Sequence, residues 1–343
     1  MNNMRNASDL MARLEAIADT IPEKRAEKAA AAVRKAEAYN TAFWDTMHTG
    51  MPHNALKEGS DGTGGYLVPD TYHDRMVKAL ADRNVLRQIS KVITTTHRTH
   101  IPVAKNVDAA DWIPENTAIK FLDAEFGEVI LDAYKLVTSI RASDEMLEDN
   151  GIDLEKYILD MFSERIGKAE EKAFISGDGN GKPLGLIHQA ELGVMSEVDG
   201  DITMDDMVNL EYALSSEYRD NAVWLMSTDA YNRLRRIPHY LGHGVWRNDL
   251  KEGDPVRLFG YPIYICHAMD DVAPGNIPVM FGDFSNYWIG DRGKRTIKRL
   301  VERYADRGQV AFIITERVDA KLMLPEAVTM LKISGTPAEE PNT

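Results

Sequence analysis

The chain has 343 residues, 44% of them hydrophobic and 27% charged, with a formal net charge of −14, enough to bury a core divided into two or more sub-domains. No apolar run approaches the roughly 20 residues of a membrane helix, Met1–Asp19 carries acids where a secretory signal would be apolar, and the single cysteine, Cys266, excludes an intrachain disulfide and fits a reducing cytoplasm. The acidic balance argues against a sequence-independent grip on nucleic acid, which needs Lys and Arg against phosphates, while leaving open an acidic wall that encloses nucleic acid without sticking to it.

Residues 1–50 read as a separate helical leader. Leu10, Leu14 and Ile17 repeat at helical spacing behind a Ser8 cap. Pro22 interrupts, and Ala26–Met47 is rich in strong helix formers. The leader holds seven acids and seven bases, so the whole charge deficit lies downstream. Ala-rich helices with few large apolar groups bury little alone. Gly50–Gly65 follows as a linker whose glycines and polar residues resist regular structure.

Tyr66–Pro69 opens the body, and Asp70–Ser90 reads as one helix with Met76, Leu80, Val85, Leu86 and Ile89 on its apolar face. A long hairpin is expected next, with arms Val92–Lys105 and Glu128–Arg141. The second arm alternates at the strand period, Val129, Leu131, Ala133 and Val137 on one side and Ile130, Tyr134 and Leu136 on the other. Between the arms, Asn106–Gly127 carries Trp112, Ile113, Phe121, Leu122 and Phe126 without an evident partner. A lone ribbon is marginal in water, and apolar surface on a projecting arm marks contact with another molecule. The subunit is therefore expected to be completed by its neighbours.

Asp153–Ser176 predicts a long amphipathic helix with Leu154, Ile158, Met161, Phe162, Ile166, Ala169 and Ala173 along one stripe, Asp153 as N-cap and Gly177 as stop. At about 1.5 Å per residue it spans roughly 35 Å. Downstream, Thr203–Tyr218 is a helix with a Thr203-x-x-Asp206 opening. Ala222–Ser227 is a buried strand and Thr228–Ile237 a short helix. Tyr261–Cys266, Val279–Asp283, Asn286–Gly290 and Arg295–Arg303 are strands. Val310–Arg317 is expected to pair with Ala320–Leu324, Val328–Ile333 to close the fold, and Gly335–Thr343 to be a disordered tail.

Chemical motifs are sparse. Ser176–Leu186, SGDGNGKPLGL, fails as a phosphate loop on spacing and because Pro183 replaces the hydroxyl that would hold magnesium. It fails as a calcium loop because Lys182 stands at a ligand position. The glycines Gly177, Gly179 and Gly181 predict a tight turn instead. His239 and His243 lack the Glu of a zinc hydrolase helix, and Cys266 ends an apolar strand as a core thiol. Ser143 and Ser227 are the conspicuous nucleophile candidates, and neither sits in a G-x-S-x-G turn. No catalytic, metal or cofactor site is expected.

The order of segments carries a resemblance: helical leader, G-G-Y-L-V-P at Gly64–Pro69, helix, long hairpin, long helix, G-D-G-N-G-K-P-L-G-L at Gly177–Leu186, an α/β stretch, and the closing Asp306–Ala327. Over about Gly64–Ile333 this resembles the major capsid proteins of tailed bacteriophages, the family with the Hong Kong 97 fold. The resemblance implies an α+β capsid fold with a peripheral domain, an axial domain, an extended β-hairpin loop and a long spine helix. It assigns residues 66–91, 141–199 and 305–334 to the peripheral domain, with the spine at 153–176, residues 92–140 to the extended loop, and 200–304 to the axial domain. Residues 1–50 become a scaffolding leader, 51–65 a flexible arm, and Gly177–Gly185 a loop on the threefold side.

It further implies a structural protein that assembles with itself as pentamers and hexamers into an icosahedral shell around double-stranded DNA, without sequence-specific binding and without a membrane. Its partners would be a portal, a maturation protease, and scaffold or decoration proteins, with assembly in the host bacterial cytoplasm and a final place in the virion. The expected contact residues are Trp112, Ile113, Phe121, Leu122, Phe126, Gly177, Gly179 and Gly181.

The isopeptide crosslink of some members is not expected, because Gly308 and Thr315 stand where those members carry the acceptor asparagine and the assisting glutamate. Lys105, Lys120 and Lys135 then lack a partner. Removal of residues 1–50 near the linker by a phage protease is expected. Two other readings stay open: an encapsulin-like nanocompartment shell of the same fold, and an enzyme with a site within Gly200–Tyr304.

Overall fold

A computed structural model describes residues 35–51, 53, 54, 56, 66–104, 126–148, 153–237, 246–247 and 256–336. They fall into two compact units. One draws on Met1–Arg75, Ser139–Ile158 and Arg295–Ile313, the other on Met76–Thr138, Leu159–Lys294 and Ile314–Thr343.

In the first unit residues 35–49 form a helix that buries Ala42, Phe43, Trp44 and Met47. Trp44 meets Phe43 and Tyr72 edge to face, with centroids 5.1 and 4.9 Å apart, a geometry favoured by the ring quadrupoles. Tyr39 Oη donates to the Leu67 carbonyl at 2.8 Å. This end of the leader is thus part of the body rather than separate, because its few large apolar residues cluster on one turn. Leu56, inside the expected linker, is also fully buried. Tyr66–Leu67 pairs antiparallel with Thr296–Leu300, Tyr66 opposite Ile297. Ser143 accepts from the Met146 amide at 3.2 Å and so starts the short helix Asp144–Glu148.

The second unit holds a seven-stranded sheet. Its spatial order is Glu191–Met195, Val328–Lys332, Val279–Gly282, Val223–Met226, Tyr261–Ile265, Arg257–Leu258 and Trp246–Arg247. The edge strand Glu191–Met195 was not anticipated from the sequence. Trp224, Phe281, Val279, Leu258 and Leu331 are fully buried on it, and Trp224 stacks on Phe281 at 4.1 Å while its Nε1 donates to the Leu258 carbonyl. Each such side chain contributes about 1.5–3 kcal/mol of burial. Thr203 caps the helix Met204–Ala213 through the expected capping box with Asp206. That helix stops at Leu214, and Ser216–Arg219 forms a separate turn instead of continuing to Tyr218.

A second cluster joins Leu86, Phe174, Leu186, Met280, Phe284, Tyr287, Ile289 and Ala320. The helix expected over Asp70–Ser90 is broken at Asn84, whose side chain accepts from the Leu86 and Arg87 amides and starts a new helix, Val85–Ile89. Local capping here outcompetes continuation. The strand Gln309–Leu322 is unbroken. It does not fold into the expected pair, because Val318 and Asp319 take ladder positions opposite Asp291 and Gly290.

The hairpin is shorter than the sequence suggested. Lys91–Thr95 lies parallel to Tyr287–Arg292, and Tyr134–Ser143 pairs with Gln309–Leu322. Only Thr99–Ala104 and Phe126–Leu131 form the two-stranded ribbon. Both expected arms were too long because their inner ends find partners in the body.

The long helix Leu154–Ser176 begins at Asp153, whose carboxylate accepts from the Lys156 amide at 3.0 Å. Its first half buries Leu154, Ile158, Phe162 and Ile166 as expected. Its second half turns Glu170, Glu171, Phe174 and Ile175 inward and leaves Ala169 exposed. The reason is Arg87. Its Nε and Nη2 donate to Glu170 at 2.7 and 2.5 Å, and its Nη1 and Nη2 donate to Asp291 at 3.1 and 2.9 Å. Burial works against the guanidinium's charge, but the two carboxylates outweigh it and hold its pKa well above the usual value. We predict that Arg87→Met, which strips the cation from two buried carboxylates, lowers stability by about 3–5 kcal/mol, measured by urea unfolding.

Glu171 accepts from the Val85 amide at 3.1 Å, and burial raises its pKa above the ordinary value of 4.5. The folded state therefore holds that proton more tightly than the unfolded one. This stabilisation is full below 4.5 and is lost as pH rises toward the folded value. Glu171→Gln is expected to flatten the fall and raise neutral-pH stability, read from denaturation midpoints across pH.

Candidate subunit-contact site

The glycine loop is built from close approaches. A Cβ on Gly177 would lie 2.1 Å from the Pro183 carbonyl oxygen, and one on Gly185 would lie 2.3 Å from that of Ile175. Gly179 and Gly181 hold φ of +79° and +69°, which L side chains rarely adopt. The Gly185 amide donates to the Gly177 carbonyl at 2.8 Å, closing the turn. Asp178 accepts from the Asn180 amide at 3.0 Å, and that bond, then Lys182 at 3.4 Å, lowers its pKa. The expected tight turn is present, and the lysine of the phosphate-loop look-alike is engaged by Asp178. Tyr134 Oη donates to the Gly179 carbonyl at 3.2 Å and ties the loop to the strand beyond the ribbon. Beside the loop, Tyr134, Leu136, Ala169, Ala173, Pro183 and Val318 border a mostly apolar recess of about 170 Å³.

The ribbon is anchored at its root. Asp319 Oδ2 accepts from the Asp132 amide at 2.8 Å, and Arg292 reaches Asp132 Oδ1 at 3.5 Å and the Leu131 carbonyl at 3.4 Å. Across the ribbon, exposed His100 Nδ1 lies 2.6 Å from Glu128 Oε1. Trp112, Ile113, Phe121 and Leu122 lie outside the described residues. Phe126 was expected in the connecting loop; it belongs to the second strand, opposite Ala104. Of the eight predicted contact residues, the structure therefore brings Gly177, Gly179 and Gly181 together in one turn and sets Phe126 on the ribbon.

Among the described residues no group of three His, Cys, Asp or Glu could hold a metal ion. His239 and His243 lie outside them. Cys266 is fully buried, and burial beside Glu171 pushes its thiol up to about 12, consistent with the expected core thiol. Ser227 caps the helix Thr228–Arg236 by accepting from the Ala230 amide at 3.2 Å. No helix among the described residues is long and apolar enough to cross a membrane.

Sequence reasoning missed a second exposed apolar group, Leu192, Met195, Val198 and Tyr212. The first three recur every third residue, which does not alternate as a strand does. That misfit was the only signal.

The phage capsid family matches residues 64–333. The major capsid protein of Klebsiella oxytoca phage phiKO2 is 25% identical over 256 residues, covering 69% of this chain and 58% of that protein. The major capsid protein of Escherichia phage T5 is 24% identical over 281 residues, covering 79% and 60%. The chain thus spans less than two thirds of the length of these relatives. Among solved structures, the capsid of a native GTA particle computed with C5 symmetry is 28% identical with a TM-score of 0.63, over 73% of this chain and 90% of that one.

Proposed function

The chain belongs to the phage capsid family, and from that premise we propose that it is the major capsid protein of a tailed phage or prophage, assembling as pentamers and hexamers into an icosahedral shell around double-stranded DNA. Its α+β fold is that of Hong Kong 97-type capsid subunits, and self-association follows from membership. The observation that carries the reading is the unbroken family match over 64–333. The fivefold symmetry of the GTA capsid supports the pentamer.

In this reading the ribbon with residues 105–125 is the extended loop, and Trp112, Ile113, Phe121 and Leu122 press on a neighbouring subunit. Leu154–Ser176 lies within the spine of a peripheral domain formed by 66–91, 141–199 and 305–334, and residues 200–304 form the axial domain. Gly177–Gly185 contributes a rigid contact loop near threefold axes. Residues 1–50 act as an internal scaffold whose helix 35–49 is docked on the body through Trp44 and Tyr72 until a phage protease removes the leader near 51–65. A portal, scaffold and decoration proteins act with the shell, which forms in the host cytoplasm. The net charge of −14 suits a wall that does not bind the duplex it confines.

Electron microscopy of the purified full chain is expected to show closed shells with fivefold vertices; a chain that stays monomeric at high concentration overturns the reading. Denaturing gels of those shells should show monomers without covalent ladders. Mass spectrometry of mature virions should lack residues 1–50. Trp112→Asp is expected to abolish shells while leaving the subunit folded, since burying an unpaired carboxylate at an interface costs several kcal/mol. Normal particles from that variant would show that Trp112 is not buried between subunits.

A further inference from the structure

The helix at residues 35–49 has two unlike faces. Ala42, Phe43, Trp44, Thr46 and Met47 are buried, while Glu37, Thr41, Asp45 and His48 are exposed. The floor under the buried face is firm. Tyr72, edge-on to Trp44 at 4.9 Å, is fully buried, and its hydroxyl donates to the Glu155 carbonyl at 3.4 Å. The helix is also held near both ends. Tyr39 Oη donates to the Leu67 carbonyl at 2.8 Å. Arg299 Nη2 donates to the His48 carbonyl at 3.4 Å, a cation at the negative end of a helix. Gly50, with φ of +76°, makes room for that guanidinium, since a Cβ there would collide with Arg299 Nη1.

The bond from Tyr39 covers a sheet edge. Tyr66 stands opposite Ile297, and the Val68 amide donates to the Arg295 carbonyl at 3.1 Å. In an antiparallel pair the residue between two such positions turns its backbone groups away from the partner strand. The Leu67 carbonyl therefore faces off the sheet, where Tyr66–Leu67 has no strand beside it among the described residues. A helix laid over an edge is one of the ways proteins protect it. The fit is not locked, however. Trp44 Nε1 and Asn40 Oδ1 on the helix, and Arg299 Nε on the body, are buried without a hydrogen-bond partner among the described residues, and each such group works against the docked state.

We propose that the helix 35–49 is a non-covalent ligand of the subunit body, so that cutting the chain within 51–65 does not by itself release the leader. Hydrolysis adds one water across a peptide bond and breaks none of the docking contacts. The groups that hold the helix, Leu67, Tyr72, Glu155 and Arg299, all lie downstream of such a cut. Loss of the leader is then a second step, undocking, which uncovers the Tyr72 ring and the outward Leu67 carbonyl together. The apolar face supplies the hold, and the unpartnered polar atoms keep it releasable. The protease step rests on the scaffold-leader reading; the docking rests on the contacts alone.

The test is a controlled cut in the full chain. A site-specific protease sequence is inserted between Asp61 and Gly62, and complete cutting is verified on denaturing gels. The leader fragment is expected to stay with the body through gel filtration and to come off in urea below the midpoint at which the body unfolds. Trp44→Ala should raise its release rate on dilution about a hundredfold or more. Tyr39→Phe, which keeps the ring and removes only the bond to Leu67, should raise it about three- to tenfold and carries the test if the tryptophan variant does not fold. Immediate separation of the unmodified fragment overturns the proposal. So does equal retention of the unmodified and variant fragments, which marks trapping inside an assembly rather than docking. Electron microscopy of the same samples separates the two readings. Retention by chains that form no shells leaves the docking standing while the shell reading falls; shells whose cut leader separates freely sink only this inference.

Discussion

The guanidinium of Arg87 is the constraint on which the second unit depends. Two carboxylates, Glu170 and Asp291, are carried into the interior with it, and each would be costly to bury unpaired. Its planar fork meets both bidentately, a geometry that a lysine cannot reproduce. The three groups come from the short helix Val85–Ile89, the long helix and the strand Tyr287–Arg292. Fixing their mutual position fixes more than a local contact. The strand Lys91–Thr95 follows the short helix and runs beside Tyr287–Arg292 with Lys91 opposite Trp288, its ammonium 3.9 Å from the indole centroid. The root of the ribbon is therefore set by an ion cluster several residues earlier in the chain.

That cluster also marks where sequence reading stops. Helix stops, caps and alternation are local, and they were legible: Asp153, Gly177, the Thr203–Asp206 box and the apolar strand at Val223–Met226 all stand where their residue types place them. Partners are not local. Glu170 and Asp291 lie 83 and 204 positions from Arg87, so nothing near Glu170 in the chain announces that a helix face will turn its carboxylates inward. The same holds for the ribbon. Alternation over Val92–Lys105 shows that the segment is extended but not which strand it joins. The break at Asn84 was the reverse case, a local signal outweighed in reading by the apolar period around it.

For the contact site, the glycine loop was legible because its composition admits few backbones. The apolar surplus read within 106–125 lies outside the described residues. The strand Glu191–Met195 was hidden because it is short, holds Gly193 and does not alternate.

The core and the surface divide the work between them. The two apolar clusters of the second unit close on themselves, with Trp224, Phe281, Phe174 and Tyr287 at most 1% exposed or fully buried. The second unit carries its own core, and the ribbon does not stand alone, because both of its roots are strands of one larger sheet. Among the described residues, eight large apolar side chains stay exposed. This suits a subunit made in many copies: it can fold first and associate later through contacts that are individually modest. A net charge of −14 opposes association at long range, and salt screens that opposition beyond a Debye length of about 8–10 Å. Short-range burial of apolar surface, which does not depend on charge, can then outweigh that opposition.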